Sequence, residues 1–207
     1  MSVRERLRAR RALRALPPPV AAFHAAAQAH ARAVGDAWSL QSATRPINLA
    51  ALLDLARGAH TVVELGTATG WTTVALAIDD PDRHVTSYDP IVQPNRAAYV
   101  ALAPEGARAR IDFVQAPGAD GPLVGGPRAV EFLFIDSTHE RAGTAAEFRA
   151  WLPCLAADAV VAFHDYGHPE FPGVAEAIAD LGLHGAVRDG TYVWRAPGDP
   201  QTPPSVH

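Results

Sequence analysis

Residues 62–70 read Val-Val-Glu-Leu-Gly-Thr-Ala-Thr-Gly, and this stretch decides the fold. Its apolar start predicts a buried β-strand, and its glycines predict a tight turn into a helix. Gly66 allows the backbone to approach a ligand, and Gly70 allows the helix to pack closely. A dinucleotide-binding turn would have glycine where this chain has Ala68, and no Gly-Lys-Ser/Thr sequence follows. The turn therefore indicates a ligand that has no pyrophosphate.

The sequence after this turn alternates between strands and helices. Strands are predicted at 61–65, 84–88, 111–115, 130–135 and 159–163, and helices at 70–79, 94–103, 139–152 and 172–181. Such alternation predicts a parallel sheet with helices on both faces. Asp189-Gly190 joins two further extended runs, 184–188 and 191–195, and favours an antiparallel hairpin. The predicted fold class is α/β and Rossmann-like, with a seven-stranded, mostly parallel sheet that ends in an antiparallel hairpin.

The chain before the first strand is predicted to be mainly helical and to contain no strand. Residues 1–46 are predicted to form a helical extension, with helices at 3–15 and 18–34 and a loop at 36–46. A helix at 47–57 then begins the main domain, which is expected to span 47–195. The extension is a candidate cap over the site or a candidate homodimer contact. The polar, proline-rich residues 196–207 are expected to form a disordered tail.

Composition narrows the class of protein. The chain has 207 residues, 48% of them hydrophobic, and a net charge of −4, so we expect one α/β domain and no nucleic-acid partner. No run of 18 apolar residues predicts a membrane span. The single Cys154 fits a reducing cytoplasm and is expected to be buried filler. The arginines between Arg4 and Arg14 predict a solvated helix face or a contact with an anionic surface.

The second predicted strand ends in an acid. Asp89 lies 23 residues after Gly66 (89 − 66). An acid at this point of an α/β sheet can accept hydrogen bonds from both hydroxyls of a ribose. The alternative is that Asp89-Pro90 only forms a turn, which aspartate favours. Together with the glycine turn, Asp89 favours binding of a nucleoside.

Acids and histidines follow strands four and five. Asp136 and His139 come after one strand, and His164 and Asp165 come after the other. The carboxyl ends of neighbouring parallel strands meet at one edge of the sheet, so we expect these four side chains to converge. Asp136, His164 and Asp165 are candidate ligands of a divalent metal, and His139 is a candidate general base. The structural alternatives are an N-cap for Asp136 and a satisfied strand-end histidine for His164.

Several side chains in loops of the same edge are candidates for contact with a substrate. They are Trp38, Arg45, Tyr166 and His168. Aromatic rings at such positions can hold a planar ligand between their faces. The alternative for each is packing at the rim of the domain.

Three segments resemble the motifs of class I S-adenosylmethionine (SAM)-dependent methyltransferases. Residues 62–70 resemble motif I, 87–89 resemble motif II, and 132–139 resemble motif IV; the likeness covers roughly 45–195. It implies SAM as cofactor, with a glutamate for its ammonium group, an aspartate for its ribose, and strand-three residues beside its adenine. The residues implied to bind SAM are Glu64, Gly66, Thr67, Ala68, Gly70, Trp71, Asp89, Ala116, Asp120 and Asp136.

Asp136-Ser137-Thr138-His139 is similar to the Asp-x-x-His of bacterial metal-dependent sugar and natural-product O-methyltransferases. This resemblance implies methylation of a small-molecule hydroxyl, with His139 as base and Asp136 in the catalytic site. His164-Asp165 departs from that family, which has Glu-Asp or Asp-Asn there. Imidazole is a poor ligand for Mg²⁺, so the departure favours Mn²⁺, Fe²⁺ or Zn²⁺, another role for His164, or no metal.

Other functions compete with methyl transfer. A nicotinamide-dependent oxidoreductase is disfavoured by Ala68 and by the lack of lysine for a Tyr-x-x-x-Lys pair. A metal-dependent hydrolase using the acid–histidine cluster and a non-catalytic SAM-binding module remain alternatives. The acceptor stays open among phenol, sugar hydroxyl, carboxylate and nitrogen.

Overall fold

The computed structural model describes residues 15–198. The predicted helix at 3–15, except for its last residue, and residues 199–207 of the predicted tail lie outside this range. The helices are α1 Pro18–Val34, α2 Ala37–Ser42, α3 Pro46–Leu55, α4 Trp71–Asp79, α5 Arg96–Val100, α6 Glu105–Arg108, α7 Arg141–Trp151 and α8 Pro172–Asp180. The strands are β1 Thr61–Leu65, β2 His84–Tyr88, β3 Ile111–Val114, β4 Val130–Ile135, β5 Leu155–Phe163, β6 Ala186–Arg188 and β7 Thr191–Arg195.

Within residues 15–198 the strands form one seven-stranded sheet in the order β3-β2-β1-β4-β5-β7-β6. Strands β1 to β5 are parallel, and β7 runs antiparallel to both β5 and β6. This confirms the predicted fold class. The chain reverses its direction of travel across the sheet between β1 and β4, and a crevice opens at the carboxyl ends of strands at such a point.

The central strands are buried on both faces. Val62 of β1 packs into a core with Leu49 of α3 and Leu76 of α4. The next residue, Val63, packs on the opposite face with Trp151 of α7 and Ile178 of α8. Successive side chains of a strand point to opposite faces, so a run of apolar residues suits a strand covered on both sides.

The C-terminal hairpin turns where the sequence predicts. Asp189 and Gly190 have φ values of +50° and +77°, as a tight two-residue hairpin requires. The backbone N–H of Tyr166 donates to the Gly190 carbonyl at 2.9 Å. The tip of the hairpin is therefore held against the loop that follows β5.

Helix α1 packs on α4, the helix that follows the glycine turn. Phe23, Ala27 and Ala31 of α1 are buried against Trp71 and Val74. The alanines lie on one face at helical spacing, which lets the two helices approach closely. Helix α1 ends at Val34, as predicted, and Gly35 follows it in the left-handed conformation.

Three details differ from expectation. The predicted loop at 36–46 contains helix α2, whose first turn is capped by Asp36, because its carboxylate accepts from the Ser39 N–H at 2.9 Å. The helix expected at 94–103 is shortened to α5, and a further short helix, α6, follows Pro104. Strand β5 begins at Leu155 rather than at residue 159, because Leu155 pairs with Val130 across a register shift. Between residues 15 and 198 no helix is long and apolar enough to cross a membrane.

A glycine-to-alanine pair tests the closest backbone approach in the fold. Gly66 has φ +104°, and a Cβ there would overlap the Asp136 carbonyl oxygen. Gly58 also has positive φ, at +78°, but open space around it. Gly58→Ala should therefore cost only about 1–2 kcal/mol of backbone strain. Gly66→Ala should cost more than about 3 kcal/mol in free energy of unfolding, measured by urea denaturation. Equal costs would show that the contact with Asp136 is unimportant.

Candidate active site

A cleft of about 1240 Å³ opens at the carboxyl ends of the central strands. Ligand pockets usually measure about 300–1,000 Å³, so this cleft has room for two ligands side by side. Most of the predicted site residues line it: Trp38, Arg45, Gly66, Thr67, Ala68, Trp71, Asp89, Asp136, His139, His164, Asp165, Tyr166 and His168. Four predicted site residues lie outside the lining: Glu64, Gly70, Ala116 and Asp120.

The glycine turn is held open by unusual backbone conformations. Gly66, Ala68 and Gly70 have φ values of +104°, +48° and +82°. A positive φ is uncommon for alanine and places strain in the loop. The Gly66 N–H donates to the Tyr88 carbonyl at 2.8 Å, which fixes the start of the turn on the neighbouring strand.

The carboxylate of Asp89 is attached to the glycine turn. One oxygen accepts from the Ala68 N–H at 2.8 Å, and the other accepts from the Ile91 N–H at 2.8 Å. The side chain is 13% exposed and lines the cleft. Each carboxylate oxygen has a second lone pair, so Asp89 can still accept from hydroxyls of a ligand.

Sequence reasoning missed the clamp that Arg96 forms behind this turn. Its guanidinium donates to the carbonyls of Ala68 at 2.9 Å and Ile91 at 2.7 Å, and lies 3.6 Å from Asp89. The side chain is buried. No local pattern distinguishes this arginine from a surface arginine at the start of a helix, because its partners come from other segments.

Glu64 lies behind the cleft wall. It is 1% exposed and accepts hydrogen bonds from the hydroxyls of Thr73 and Ser87, the latter at 2.6 Å. Burial raises the pKa of Glu64 to about 8, although these hydroxyls act in the opposite direction. Glu64 is therefore mainly neutral at pH 7. The Ser87 hydroxyl is also 2.7 Å from that of Thr67, which lines the cleft.

The region predicted to border an adenine differs in detail. Ala116 packs into the core beside α7 and α8, and Asp120 is exposed in a short 3₁₀ turn. The cleft wall here consists of residues 117–119 instead. Trp151 holds this wall, because its indole N–H donates to the Gly118 carbonyl at 2.8 Å.

The acids and histidines after β4 and β5 meet, as the sequence predicts. The two strands are neighbours, and the ladder continues past them: the Asp136 N–H donates to Leu65, and the His164 N–H donates to Ile135. His139 Nε2 lies 3.1 Å from Asp136 Oδ1 and 3.3 Å from Asp165 Oδ2.

His164 is held less completely than His139. Its Nδ1 lies 3.0 Å from Asp136 Oδ1, but the direction does not suit a hydrogen bond, and this buried atom has no hydrogen-bond partner among residues 15–198. One potential ligand atom from each of the four residues lies within 4.8 Å of the others. The cluster Asp136, His139, His164 and Asp165 is hereafter called the quartet.

The quartet balances its own charges. Burial opposes ionisation of Asp136 and Asp165, but the facing imidazoles outweigh burial and lower the pKa of both carboxyls. Burial also opposes protonation of the histidines. The facing carboxylates nevertheless raise the pKa of His139 and bring the pKa of His164 to about 10. The carboxylates and the imidazoles of the quartet thus stabilise each other's charged forms.

Two quartet residues have strained backbones. His139 and Asp165 have φ values of +56° and +54°, in the left-handed region that non-glycine residues rarely adopt. Gly173 of α8 lies against this bend, where a Cβ would be 2.6 Å from the His139 carbonyl oxygen. Such strain persists only where surrounding packing imposes it, and it clusters at functional sites.

Aromatic rings pack against the quartet. Phe171 stacks on His139 with ring centroids 4.5 Å apart, and His168 stacks on Phe171 at 5.0 Å. Tyr166 packs on Tyr192 of β7. The stack limits rotation of the His139 imidazole. Trp38, from α2, borders the same cleft and is 47% exposed.

The fold and this site define a class I SAM-dependent methyltransferase. Residues 63–166, about half of the chain, match the model of a methyltransferase-domain family. The chain belongs to this family, for which SAM is the expected cofactor. No curated protein matches the sequence significantly.

Solved structures share the fold at low sequence identity. One is apo CalS11, a TDP-rhamnose 3′-O-methyltransferase of calicheamicin biosynthesis, with 17% identity, coverage of 94% of this chain and 95% of the other, and a TM-score of 0.59. Another is cofactor-bound Rv0187 from MTB, with 20% identity, 88% and 91% coverage, and a TM-score of 0.62. A third is the S-adenosylhomocysteine (SAH)-bound methyltransferase PaMTH1 of Podospora anserina, with 12% identity, 89% coverage of each chain and a TM-score of 0.66.

The buried Glu64 predicts how stability depends on pH. An unfolded glutamate titrates near 4.5 and folded Glu64 near 8, so the folded state holds an extra proton between these values. Stability should therefore fall as pH rises through this window. Glu64→Gln is neutral throughout. The difference in free energy of unfolding between this variant and the native protein should change by more than about 1 kcal/mol between pH 5 and pH 8.

Urea denaturation of both proteins at each pH measures this difference. Titration of the histidines affects both proteins equally and cancels. Parallel stability curves would contradict the raised pKa of Glu64.

Proposed function

We propose that this methyltransferase transfers the methyl group of SAM to a hydroxyl of a small molecule, with His139 as the general base. The observation that carries the proposal is the contact between the glycine turn and the quartet. Gly66 lies directly against the Asp136 backbone, and both line one cleft. A molecule on the turn and a hydroxyl beside His139 would therefore be neighbours.

The residues proposed for SAM are those of the turn and the strand ends. Asp89 would accept from the ribose hydroxyls with its free lone pairs. Glu64 is mainly neutral and does not reach the cleft, so it would orient the Thr67 hydroxyl through Ser87 rather than contact the ammonium group itself. Residues 117–119, rather than Ala116 and Asp120, would border the adenine.

Bound SAM supplies a methyl group that an oxygen lone pair can attack as the C–S bond breaks. The proposed work of the chain is to hold the two molecules in line and to receive the hydroxyl proton. His139 suits this role. Asp136 accepts from its Nε2–H, which leaves Nδ1 of the neutral ring as the proton acceptor, and Phe171 restricts the plane of the ring. Such an arrangement orients an imidazole and stabilises its protonated form.

A divalent metal is a second part of the proposal, favoured by the geometry of the quartet. Four ligand atoms converge, and buried His164 Nδ1 has no hydrogen-bond partner in the described part of the chain. These residues fit an ion, with Asp136, His164 and Asp165 as its ligands. The imidazole of His164 favours Mn²⁺, Fe²⁺ or Zn²⁺ over Mg²⁺. A bound ion would lower the pKa of an acceptor hydroxyl.

The comparisons support oxygen as the acceptor atom only indirectly. The name of CalS11 states methylation of a sugar oxygen, and NovP is an O-methyltransferase with 15% identity and a TM-score of 0.51. The family match favours methyl transfer over the hydrolase and oxidoreductase alternatives. The acceptor contacts proposed for Trp38, Arg45, Tyr166 and His168 rest on their shared place in the cleft wall.

Three further sequence predictions remain proposals. One is the division into an extension at 1–46, a catalytic domain at 47–195 and a tail. Helix α2 of that extension contributes Trp38 to the cleft, which supports a role as a cap. The others are a cytoplasmic location and a homodimer formed through the extension.

Removal of the base separates chemistry from cofactor binding. His139→Gln should retain the SAH affinity of the native protein, because the side chain lies beyond the glycine turn. Its rate of methyl transfer should fall about 10²–10⁴-fold. Calorimetry measures binding, and release of SAH with a panel of phenols and sugars measures transfer.

Exposed His184 provides the control, since His184→Gln should change neither property. The proposal fails if the folded native protein gives no heat with SAM or SAH. The role of His139 as general base is contradicted if His139→Gln transfers methyl groups at the native rate.

Loss of one imidazole tests the metal. Native protein should bind about one Zn²⁺ or Mn²⁺, and His164→Gln should weaken binding by about tenfold or more, as the loss of a ligand requires. Isothermal titration with each ion measures the affinity, with His184→Gln again unchanged. If the native protein and His164→Gln bind the ions with equal affinity, or if neither binds them, the metal site is refuted. His139 then remains the only group proposed to activate the acceptor.

A further inference from the structure

Acidic side chains far outnumber permanently charged basic ones in the lining of the cleft. Six carboxyl side chains line it: Asp89, Asp136, Glu147, Asp165, Glu170 and Asp189. Across residues 15–198, Arg45 is the only arginine in this lining, and the chain has no lysine. Histidines of the quartet are already matched to carboxylates. Arg45 is thus the one permanent cation that the described part of the chain presents to a ligand.

Arg45 is also uncommitted. Among the described residues, no carboxylate oxygen lies within 4.0 Å of its guanidinium, and no hydrogen bond satisfies it. Arg96, near the same cleft, is instead bonded to two backbone carbonyls and faces Asp89. Arg83 and Arg110 are likewise bonded to backbone carbonyls. The fold therefore employs these three arginines internally and leaves Arg45 available.

The backbone of Arg45 is anchored on both sides. The hydroxyl of Thr44 lies 3.0 Å from that of Thr72, in the first turn of α4 beside the glycine turn, and both are buried. The amide of Asn48 donates to the Asp189 carbonyl in the hairpin at 3.0 Å. The residues on either side of Arg45 are consequently held to the first turn of α4 and to the hairpin, and Arg45 itself lines the cleft.

We propose that Arg45 binds an anionic group, a carboxylate or a phosphate, of a molecule in this cleft. The inference rests on the proposed function. SAM has two positive groups, its sulfonium and its ammonium, which acidic side chains attract. Its one carboxylate needs a hydrogen-bond donor. The carboxylates of Glu170 and Asp189, which also line the cleft, would repel an anion, so a guanidinium is needed to offset them. Arginine can hold a carboxylate or phosphate by two parallel hydrogen bonds.

The anion has two candidate sources, the methionine carboxylate of SAM and an acidic group on the acceptor. Matched ligands distinguish them. SAM and decarboxylated SAM differ only in the carboxylate of the cofactor. With SAH saturating, 3,4-dihydroxybenzoate and its methyl ester compare a charged model acceptor with an uncharged one that is larger by one methyl group. Calorimetry measures each with native protein, Arg45→Gln, Arg45→Lys and a control, Arg57→Gln, whose exposed side chain lies outside the cleft.

If the cofactor supplies the anion, Arg45→Gln should weaken SAM binding by about tenfold or more and leave decarboxylated SAM within about twofold. If the acceptor supplies it, the same contrast should occur between the benzoate and its ester. Arg45→Lys should keep part of the affinity, and Arg57→Gln should match the native protein.

Native-like binding of both charged ligands by Arg45→Gln overturns the inference, as does equal weakening of charged and uncharged partners. If native protein binds the cofactor but not the benzoate, the comparison of SAM with decarboxylated SAM alone decides whether Arg45 binds an anion. Failure of native protein to bind either SAM or SAH would instead refute the proposed function.

Discussion

The contact between Gly66 and the Asp136 backbone is the constraint on which the site depends. The turn after β1 crosses so close to the end of β4 that no side chain fits between them. Because β1 and β4 are neighbours, the hydrogen-bond ladder extends from Leu65 to Asp136 and fixes this distance. The glycine turn after β1 and the quartet after β4 and β5 are thereby joined at one edge of the sheet.

Two carboxyl groups near this edge, those of Glu64 and Asp136, show how the surroundings of a side chain decide its charge. Glu64 is enclosed with neutral hydroxyls, so burial dominates and its proton is retained near neutral pH. Asp136 is partly buried, with 18% of its side chain exposed, but two imidazoles face it and keep it ionised. The same functional group is thus a neutral structural acid in one place and an anion in another. The anion, not the neutral acid, faces the cleft.

Strain and stacking give the quartet its geometry. His139 and Asp165 adopt left-handed backbone conformations, which packing against α8 and the two strands must maintain. Phe171 then lies flat on the His139 ring. A histidine with a fixed ring plane and a carboxylate partner suits proton transfer better than a mobile one, because less reorganisation is needed at the moment of reaction.

The sequence alone determined the features that depend on neighbouring residues. Apolar runs predicted the strands, the Asp189-Gly190 pair predicted the hairpin, and residues 62–70 predicted the ligand turn and the family. Convergence of Asp136 with His164 was also predictable, because strands four and five of such a sheet are neighbours. Helix α2 was missed, since a single short turn capped by Asp36 has little periodicity.

Only the tertiary structure decided which side chains become partners. The bonds of Arg96, the enclosure of Glu64, and the exclusion of Ala116 and Asp120 from the cleft all depend on segments far apart in the chain. Periodicity and turn chemistry are encoded within a few residues. The burial, the charge and the available hydrogen-bonding groups of a side chain depend instead on every element packed around it.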